Sequence, residues 1–274
     1  MSQTAKLPAY RQNKLRTLRE IVSGISNWPT AVALRLFRSR PGLRLLEFRN
    51  GLNVICRRDT RDWDVIHELF FAGSYGRAMR HLESLPGEPI VLDLGGNIGL
   101  FSLLAASTNK LAKIAAFEPG PPNYRLFETN RLINPALTDR IELRRCAVGG
   151  IARTMAWAFD EKNPGGSSLF SGKGPTFPVE IVPFREVVSS FSEPIALVKM
   201  DIEGAEYEIL ANTPPEIWER VRALSLELHD DPERKVSQDD FLSRLQSYGF
   251  HLETESVCSY FLSRPANPGS EAVA

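Results

Sequence analysis

The chain has 274 residues, 33 basic against 33 acidic and 43% hydrophobic, so one domain with a terminal decoration can bury a substantial core. The zero formal charge supplies no global field for nucleic acid or an anionic membrane, and no apolar stretch approaches the ~18 residues a bilayer requires. Three widely spaced cysteines, Cys56, Cys146 and Cys258, fit neither a disulfide framework nor a zinc site, which implies a reducing, cytoplasmic setting.

Charge is unevenly placed. Before Gly51, Lys6, Arg11, Lys14, Arg16, Arg19, Arg35, Arg38, Arg40, Arg44 and Arg49 face only Glu20 and Glu47, a solvated basic face by default. Residues 7–37 read as two short helices parted by Ser26-Asn27-Trp28-Pro29, because Pro29 disfavours helix in the residue before it. Residues 43–48 and 52–56 flank Arg49-Asn50-Gly51, a hairpin signal resting on the tolerance of Asn and Gly for positive φ. A short helix over 64–71 and a loop or helix entrance at Gly73-Ser74-Tyr75-Gly76 read as a lid.

From residue 88 the pattern becomes regular. Strands at 89–94, 112–117, 141–147, 179–182, 195–200 and 223–228 are interleaved with helices at 97–107, 123–132, 206–211 and 238–248. Short apolar strands alternating with helices predict an α/β fold with a mostly parallel, doubly wound sheet. Residues 163–178 are rich in Gly, Ser and Pro and read as an exposed loop, of which 163–174 is the candidate mobile cover. Segments 251–255 and 259–262 read as closing strands. The organisation expected is an extension over 1–62, a catalytic domain over 63–265 and a disordered tail over 266–274.

The strongest local signal is Ile90-Val91-Leu92-Asp93-Leu94-Gly95-Gly96-Asn97-Ile98-Gly99, a strand running into a glycine turn that opens a helix. Gly95 and Gly96 permit a ligand to approach the backbone, and Gly99 permits close helix packing. Glu118, ending the next strand, is placed to accept hydrogen bonds from both hydroxyls of a ribose. Asp93 argues against a pyrophosphate, which an acid repels, and for a compact cofactor with a positive amino group and sulfonium.

These residues, with Phe117-Glu118-Pro119, Val198-Lys199-Met200-Asp201-Ile202-Glu203-Gly204-Ala205-Glu206 and Leu226-Glu227-Leu228-His229, resemble the FkbM family of S-adenosylmethionine-dependent methyltransferases over roughly 64–250. The resemblance implies a class I, Rossmann-like methyltransferase fold with seven strands, the last antiparallel, and methyl transfer to a hydroxyl of a sugar, polyketide or other natural product. It also implies that Asp93, Gly95, Gly96, Asn97 and Glu118 hold the cofactor while Cys146 and Ala147 approach the adenine. The family usually carries Gly-Ala-Asn where this chain has Gly95-Gly96-Asn97.

At the reacting end, Asp201 and Glu203 alternate at one strand terminus and Glu227 and His229 at the next, so four ionisable groups converge if the strands continue. His229 is the candidate general base, with Asp201 or Glu227 orienting it or binding the acceptor; Glu203 holds a helix end or contacts the acceptor. The same Asp201, Glu203, Glu227 and His229 would alternatively suit Mg2+ or Mn2+. Tyr75, Arg77, Trp157, Ser167, Ser168 and Phe170 are candidates for the acceptor pocket. Two other functions remain open to these residues: an NAD-dependent oxidoreductase and a non-catalytic cofactor-binding scaffold. A nucleic-acid substrate is not expected, for want of a basic and aromatic track, and the extension could build either a lid or a homodimer contact.

Overall fold

The computed structural model describes residues 14–37, 41–158, 176–231, 233, 235–256 and 259–265. At its centre lies a seven-stranded sheet of β3 (Ile90–Leu94), β4 (Lys113–Phe117), β5 (Ile141–Arg144), β9 (Ile195–Met200), β10 (Ala223–Glu227), β11 (His251–Ser256) and β12 (Ser259–Ser263), in the order β11-β12-β10-β9-β3-β4-β5. The sheet is mixed. Pairings from β5 across to β10 are parallel, and β12 runs antiparallel to both β10 and β11.

Side-chain alternation divides the sheet cleanly between two cores. Val91, Ile114, Ala116, Leu197 and Ala223 face α4 (Gly76–Ser84), α5 (Leu100–Thr108), α6 (Pro121–Leu132) and α7 (Pro135–Thr138). Leu92, Leu94, Phe117, Val198, Met200, Leu224 and Leu226 face α8 (Phe184–Ser189), α9 (Glu206–Asn212), α10 (Pro215–Trp218) and α11 (Gln238–Ser247). Period-2 side chains that are apolar on both faces are what a sheet covered by helices on each side demands.

Three elements differ from the sequence reading. The predicted strand over 141–147 is two: β5 stops at Arg144, and after a bend β6 (Ala147–Gly149) joins a second sheet of order β6-β8-β7 with β7 (Arg153–Ala158) and β8 (Thr176–Pro183). Nothing in Ile141-Glu142-Leu143-Arg144-Arg145-Cys146-Ala147 marks the bend, and β7 is absent from the sequence reading altogether. The helix expected from residue 97 begins at Leu100, because Asn97 (φ 48°) and Gly99 (φ 90°) are left-handed and cannot belong to a right-handed helix. Residues 7–13, most of the Gly/Ser-rich segment, Cys258 and the tail lie outside the described residues, as do Ser167, Ser168 and Phe170.

The extension packs into the first core. Helices α1 (Lys14–Gly24) and α2 (Trp28–Leu36) contribute Ile21, Ala31 and Leu34, the hairpin of β1 (Leu43–Glu47) and β2 (Asn53–Arg57) contributes Leu46 and Val54, and α3 (Asp62–His67) contributes Trp63 and Ile66. The outer edge of β2 meets side chains where another strand would be. Asn130 accepts from the Ile55 amide at 2.6 Å and donates to the carbonyls of Ile55 (3.0 Å) and Ile98 (2.8 Å). Asn134 accepts from the Asn53 amide at 2.9 Å and donates to its carbonyl at 2.7 Å, while Asp62 accepts from the Arg57 amide at 2.8 Å. Two amide side chains thus imitate a strand and satisfy an edge that would otherwise be open.

Asn130 is fully buried. Asn130→Ala strands the Ile55 amide and two carbonyls, and urea denaturation is expected to show a loss of about 2–3 kcal/mol with an unchanged slope. An unchanged midpoint would show that this edge does not hold the extension.

Candidate functional site

The site forms at the carboxyl ends of β3, β4, β9 and β10. Gly95 (φ 78°) turns the chain out of β3, and the amides of Gly95 and Gly96 both donate to the Phe117 carbonyl, at 3.1 and 2.9 Å, fixing the turn to the end of β4. A Cβ on Gly95 would lie 2.0 Å from the Asp201 carbonyl oxygen, so the two strand ends touch only because that position is glycine. The missing Cβ atoms of Gly96 and Gly99 admit the Phe127 ring, which would lie 2.6 and 2.3 Å from them. Gly99 therefore serves helix packing as the sequence implied, and Gly96 shares that role.

A partly open cleft lies above this turn. Gly95, Gly96 and Asn97 form its floor, Val65, Leu69, Leu100 and Phe101 its apolar wall, and Tyr75, Lys199 and Asp201 its polar end. Val65 belongs to α3 and Leu69 to the π-helical turn that follows (Glu68–Ala72), so the segment read as a lid does border the cleft. The Tyr75 ring meets Phe101 edge-on at 5.2 Å. Burial and the carboxylates of Asp201, Glu227, Asp93 and Glu68 push the Tyr75 phenol well above its usual pKa, keeping it a hydrogen-bond donor.

Lys199, unassigned by the sequence reading, is the cation of the site. It stands opposite Asp93 in the β3–β9 register and is 4% exposed. Its ammonium donates to the carbonyls of Gly95 (2.7 Å) and Leu94 (3.2 Å) and lies 3.3 Å from Asp201 and 3.6 Å from Asp93. Burial works against this charge, yet Asp201 and Asp93 hold its pKa above the ordinary lysine value. Asp93 is fully buried, bonded by Ser102 of α5 at 2.6 Å; burial raises its pKa, opposed by Lys199 and Ser102. Its carboxylate acts within the protein and does not line the cleft.

Beyond Asp201 lies an acidic pocket around His229. The alternation proposed for Asp201 and Glu203 does not apply, because β9 ends at Met200 and Glu203 adopts a left-handed backbone (φ 55°). That turn nevertheless delivers both carboxylates to the imidazole: Nε2 of His229 is 3.6 Å from Glu203 and 4.0 Å from Asp201. Nδ1 lies 3.0 Å from the fully buried Glu206, whose same oxygen accepts the Ile202 amide at 3.2 Å. The Tyr207 hydroxyl donates to the His229 carbonyl at 2.9 Å. Asp201, Glu227 and His229 each offer a ligand atom within 4.8 Å of the others.

The titration of this pocket follows from crowding. Burial disfavours the His229 imidazolium, but its hydrogen bond to Glu206 and the charges of Glu206, Glu203 and Asp201 outweigh it and push the pKa to about 10. Asp201 and then burial push Glu227 to about 7, and burial pushes Glu203 to about 7.

Glu118 sits on the opposite flank. Its two oxygens accept the amides of Asn97 and Gly120, each at 2.8 Å, and burial raises its pKa to about 7 against those bonds. Cys146 and Ala147, both buried, lie where the chain leaves β5 for β6. Trp157 packs at Gly120, on the Glu118 flank, and Arg77 forms an ion pair with Glu253 of β11. The structure thus brings together Asp201, Glu203, Glu227 and His229 and, separately, Gly95, Gly96, Asn97 and Glu118. Sequence reasoning missed Lys199 and Glu206, although a lone lysine in the apolar strand Ile195-Ala196-Leu197-Val198-Lys199-Met200 was a readable signal.

Residues 93–252 match the family model described as the methyltransferase FkbM domain. The chain is 30% identical over 178 residues to "Methyltransferase sdnD" of Sordaria araneosa, covering 53% of this chain and 68% of that one. It is 25% identical to "31-O-demethyl-FK506 methyltransferase FkbM" of Streptomyces tacrolimicus, covering 65% and 78%. Among solved structures, methyltransferase FkbM from Methylobacillus flagellatus aligns at 15% identity and a TM-score of 0.44, over 73% of this chain and 53% of that one.

The contact between the two turns predicts a contrast between glycines. Gly95→Ala combines a left-handed alanine with overlap at the Asp201 carbonyl and is expected to cost upwards of about 3 kcal/mol. Gly51→Ala, at φ 92° with open space around it, should cost only about 1–2 kcal/mol. Equal shifts in thermal denaturation would contradict the close approach.

Proposed function

The chain belongs to the FkbM family of S-adenosylmethionine-dependent methyltransferases, and on that premise we propose that it transfers the methyl group to a hydroxyl oxygen of a small molecule, sugar or natural product. The observation that carries this reading is that Asp201 belongs at once to the cleft over the glycine turn and to the acidic pocket around His229. Methyl donor and proton acceptor then adjoin. One relative is named for a 31-O-demethyl substrate, which agrees with oxygen as the acceptor atom.

In this reading the methionine half of the cofactor lies over Gly95, Gly96 and Asn97, and Glu118 accepts the ribose hydroxyls. Cys146 and Ala147 flank the adenine. Asp93 acts through Lys199 and does not touch the cofactor. The sulfonium supplies an activated methyl carbon. With the cofactor so seated, the acceptor hydroxyl would lose its proton to Nε2 of His229 in its neutral form, the minor form at neutral pH while the pKa stands at about 10. Alignment of oxygen, carbon and sulfur provides much of the acceleration. Glu206 fixes the imidazole through Nδ1, while Glu203 and Asp201 stabilise the imidazolium that forms. Tyr75 donates to the acceptor, and Val65, Leu69 and Phe101 cover its apolar part.

A second reading rests on one further feature. With Nδ1 held by Glu206, Nε2 of His229 is turned towards Asp201, and with Glu227 these groups fit a divalent cation such as Mg2+ or Mn2+, which would orient a vicinal diol and acidify its hydroxyl. Activity that survives EDTA removes this reading.

Calorimetric titration with S-adenosylhomocysteine and NAD tests the cofactor. Micromolar binding of the first only, weakened at least about tenfold in Glu118→Ala, is expected. Binding of NAD alone would overturn the methyl-transfer reading, and binding of neither would favour either a scaffold or a site completed by an acceptor or partner.

The imidazole gives an independent check. Because the folded pKa of His229 is raised from 6.5 to about 10, its protonated form stabilises the fold fully below pH 6.5, and that contribution disappears as pH climbs through 10. Histidine NMR should find the His229 midpoint near 10, and Glu206→Gln should lower it by at least about one unit. A midpoint of 6.5 in the unaltered chain would contradict the assigned hydrogen bond.

A further inference from the structure

Trp157 was a candidate for the acceptor pocket, and its position assigns it elsewhere. The residue is 3% exposed and lies in a small apolar cluster with Ala147, Val179 and Ile181, built by the second sheet. That sheet is anchored to the main body: Arg153 forms an ion pair with Glu208 of α9, and a Cβ on Gly150 would lie 2.4 Å from the Glu208 carbonyl oxygen. From this anchored base the six-membered edge of the indole reaches Gly120. A Cβ there would lie 2.4 and 2.6 Å from two ring carbons and 2.9 Å from Oε1 of Glu118.

Gly120 is also the residue whose amide donates to Oε1 of Glu118 at 2.8 Å, while the other carboxylate oxygen takes the Asn97 amide at 2.8 Å. The Glu118 carboxylate therefore bridges two turns, one held by the glycine floor and one held by the indole. If the indole retreats, the 118–120 turn is free to move and the carboxylate loses its fixed direction.

We propose that Trp157 is a positioning residue for the nucleoside half of the cofactor: the indole, packed on Gly120, locks the turn that aims Glu118 at the ribose hydroxyls. The inference rests on the proposed seating of S-adenosylmethionine. It makes the second sheet a brace for cofactor binding and removes Trp157 from acceptor recognition.

The test is a double-mutant cycle read by calorimetry with S-adenosylhomocysteine on the full chain, with melting curves recorded for each variant. Trp157→Ala is expected to weaken binding about tenfold and Trp157→Phe less than about threefold, since a phenyl ring preserves part of the packing. Because the indole acts through Glu118, Trp157→Ala should add little to Glu118→Gln, leaving the double variant within about twofold of Glu118→Gln alone. Should the alanine variant fail to fold, Trp157→Leu, which keeps apolar bulk in the cluster but has no ring to reach Gly120, is expected to weaken binding at least about fivefold and gives the same comparison alone and combined with Glu118→Gln. Unchanged affinity on altering Trp157, or losses that multiply in the double variant, would overturn the proposal while leaving the cofactor assignment intact. No binding by the unaltered chain would overturn the cofactor assignment and this inference together.

Discussion

The Lys199 ammonium sits where three parts of the site would otherwise drift or repel. It donates to two carbonyls of the glycine turn and lies within ion-pair reach of Asp93 behind the turn and Asp201 in front of it. Burying a cation costs several kcal/mol, and only opposite charges and hydrogen bonds together offset that cost. The arrangement does so from neighbouring strands in register, with small residues, Ala116 and Ser225, at the flanking positions of the same row. Asp201 thereby acquires a fixed place, and from Asp201 the chain turns through Glu203 and Gly204 into α9, whose first residue, Glu206, holds His229.

Charge in the pocket is unequally distributed for a reason. Asp201 and burial raise Glu227 to about 7 and burial raises Glu203 to about 7, both against the opposing charge of His229, while Glu206, Glu203 and Asp201 hold the His229 imidazolium to about 10. In the proposed seating, a cationic sulfonium in the adjoining cleft would relieve carboxylate crowding and make the imidazolium less favourable, shifting His229 towards its basic form.

Much of the central fold was legible because strand periodicity and the glycine turn are local signals. The hairpin around Asn50-Gly51, the strands flanking Asp93 and Lys199 and the two closing strands follow from residues near in sequence. The split of the predicted 141–147 strand was not legible, since Ile141-Glu142-Leu143-Arg144 alternates as a single strand would and Arg145-Cys146 carries no turn residue. The left-handed backbone of Glu203 was hidden, since a glutamate does not announce a positive φ, and Asn97, a residue that tolerates one, was read as already helical. The convergence of Asp201, Glu203, Glu227 and His229 was anticipated, although through a turn and not through strand alternation. Lys199 and Glu206 stood inside the quoted motif, but their roles depend on burial, which residue type alone does not give.

The central claim is that one buried ammonium organises both halves of the site, and the stability of Lys199→Met tests it most directly. Chemical denaturation is predicted to show a loss of about 3–5 kcal/mol, because Asp93 and Asp201 are left without their cation, with partial recovery when Asp93→Asn is added. A Lys199→Met variant as stable as the parent chain would contradict the account.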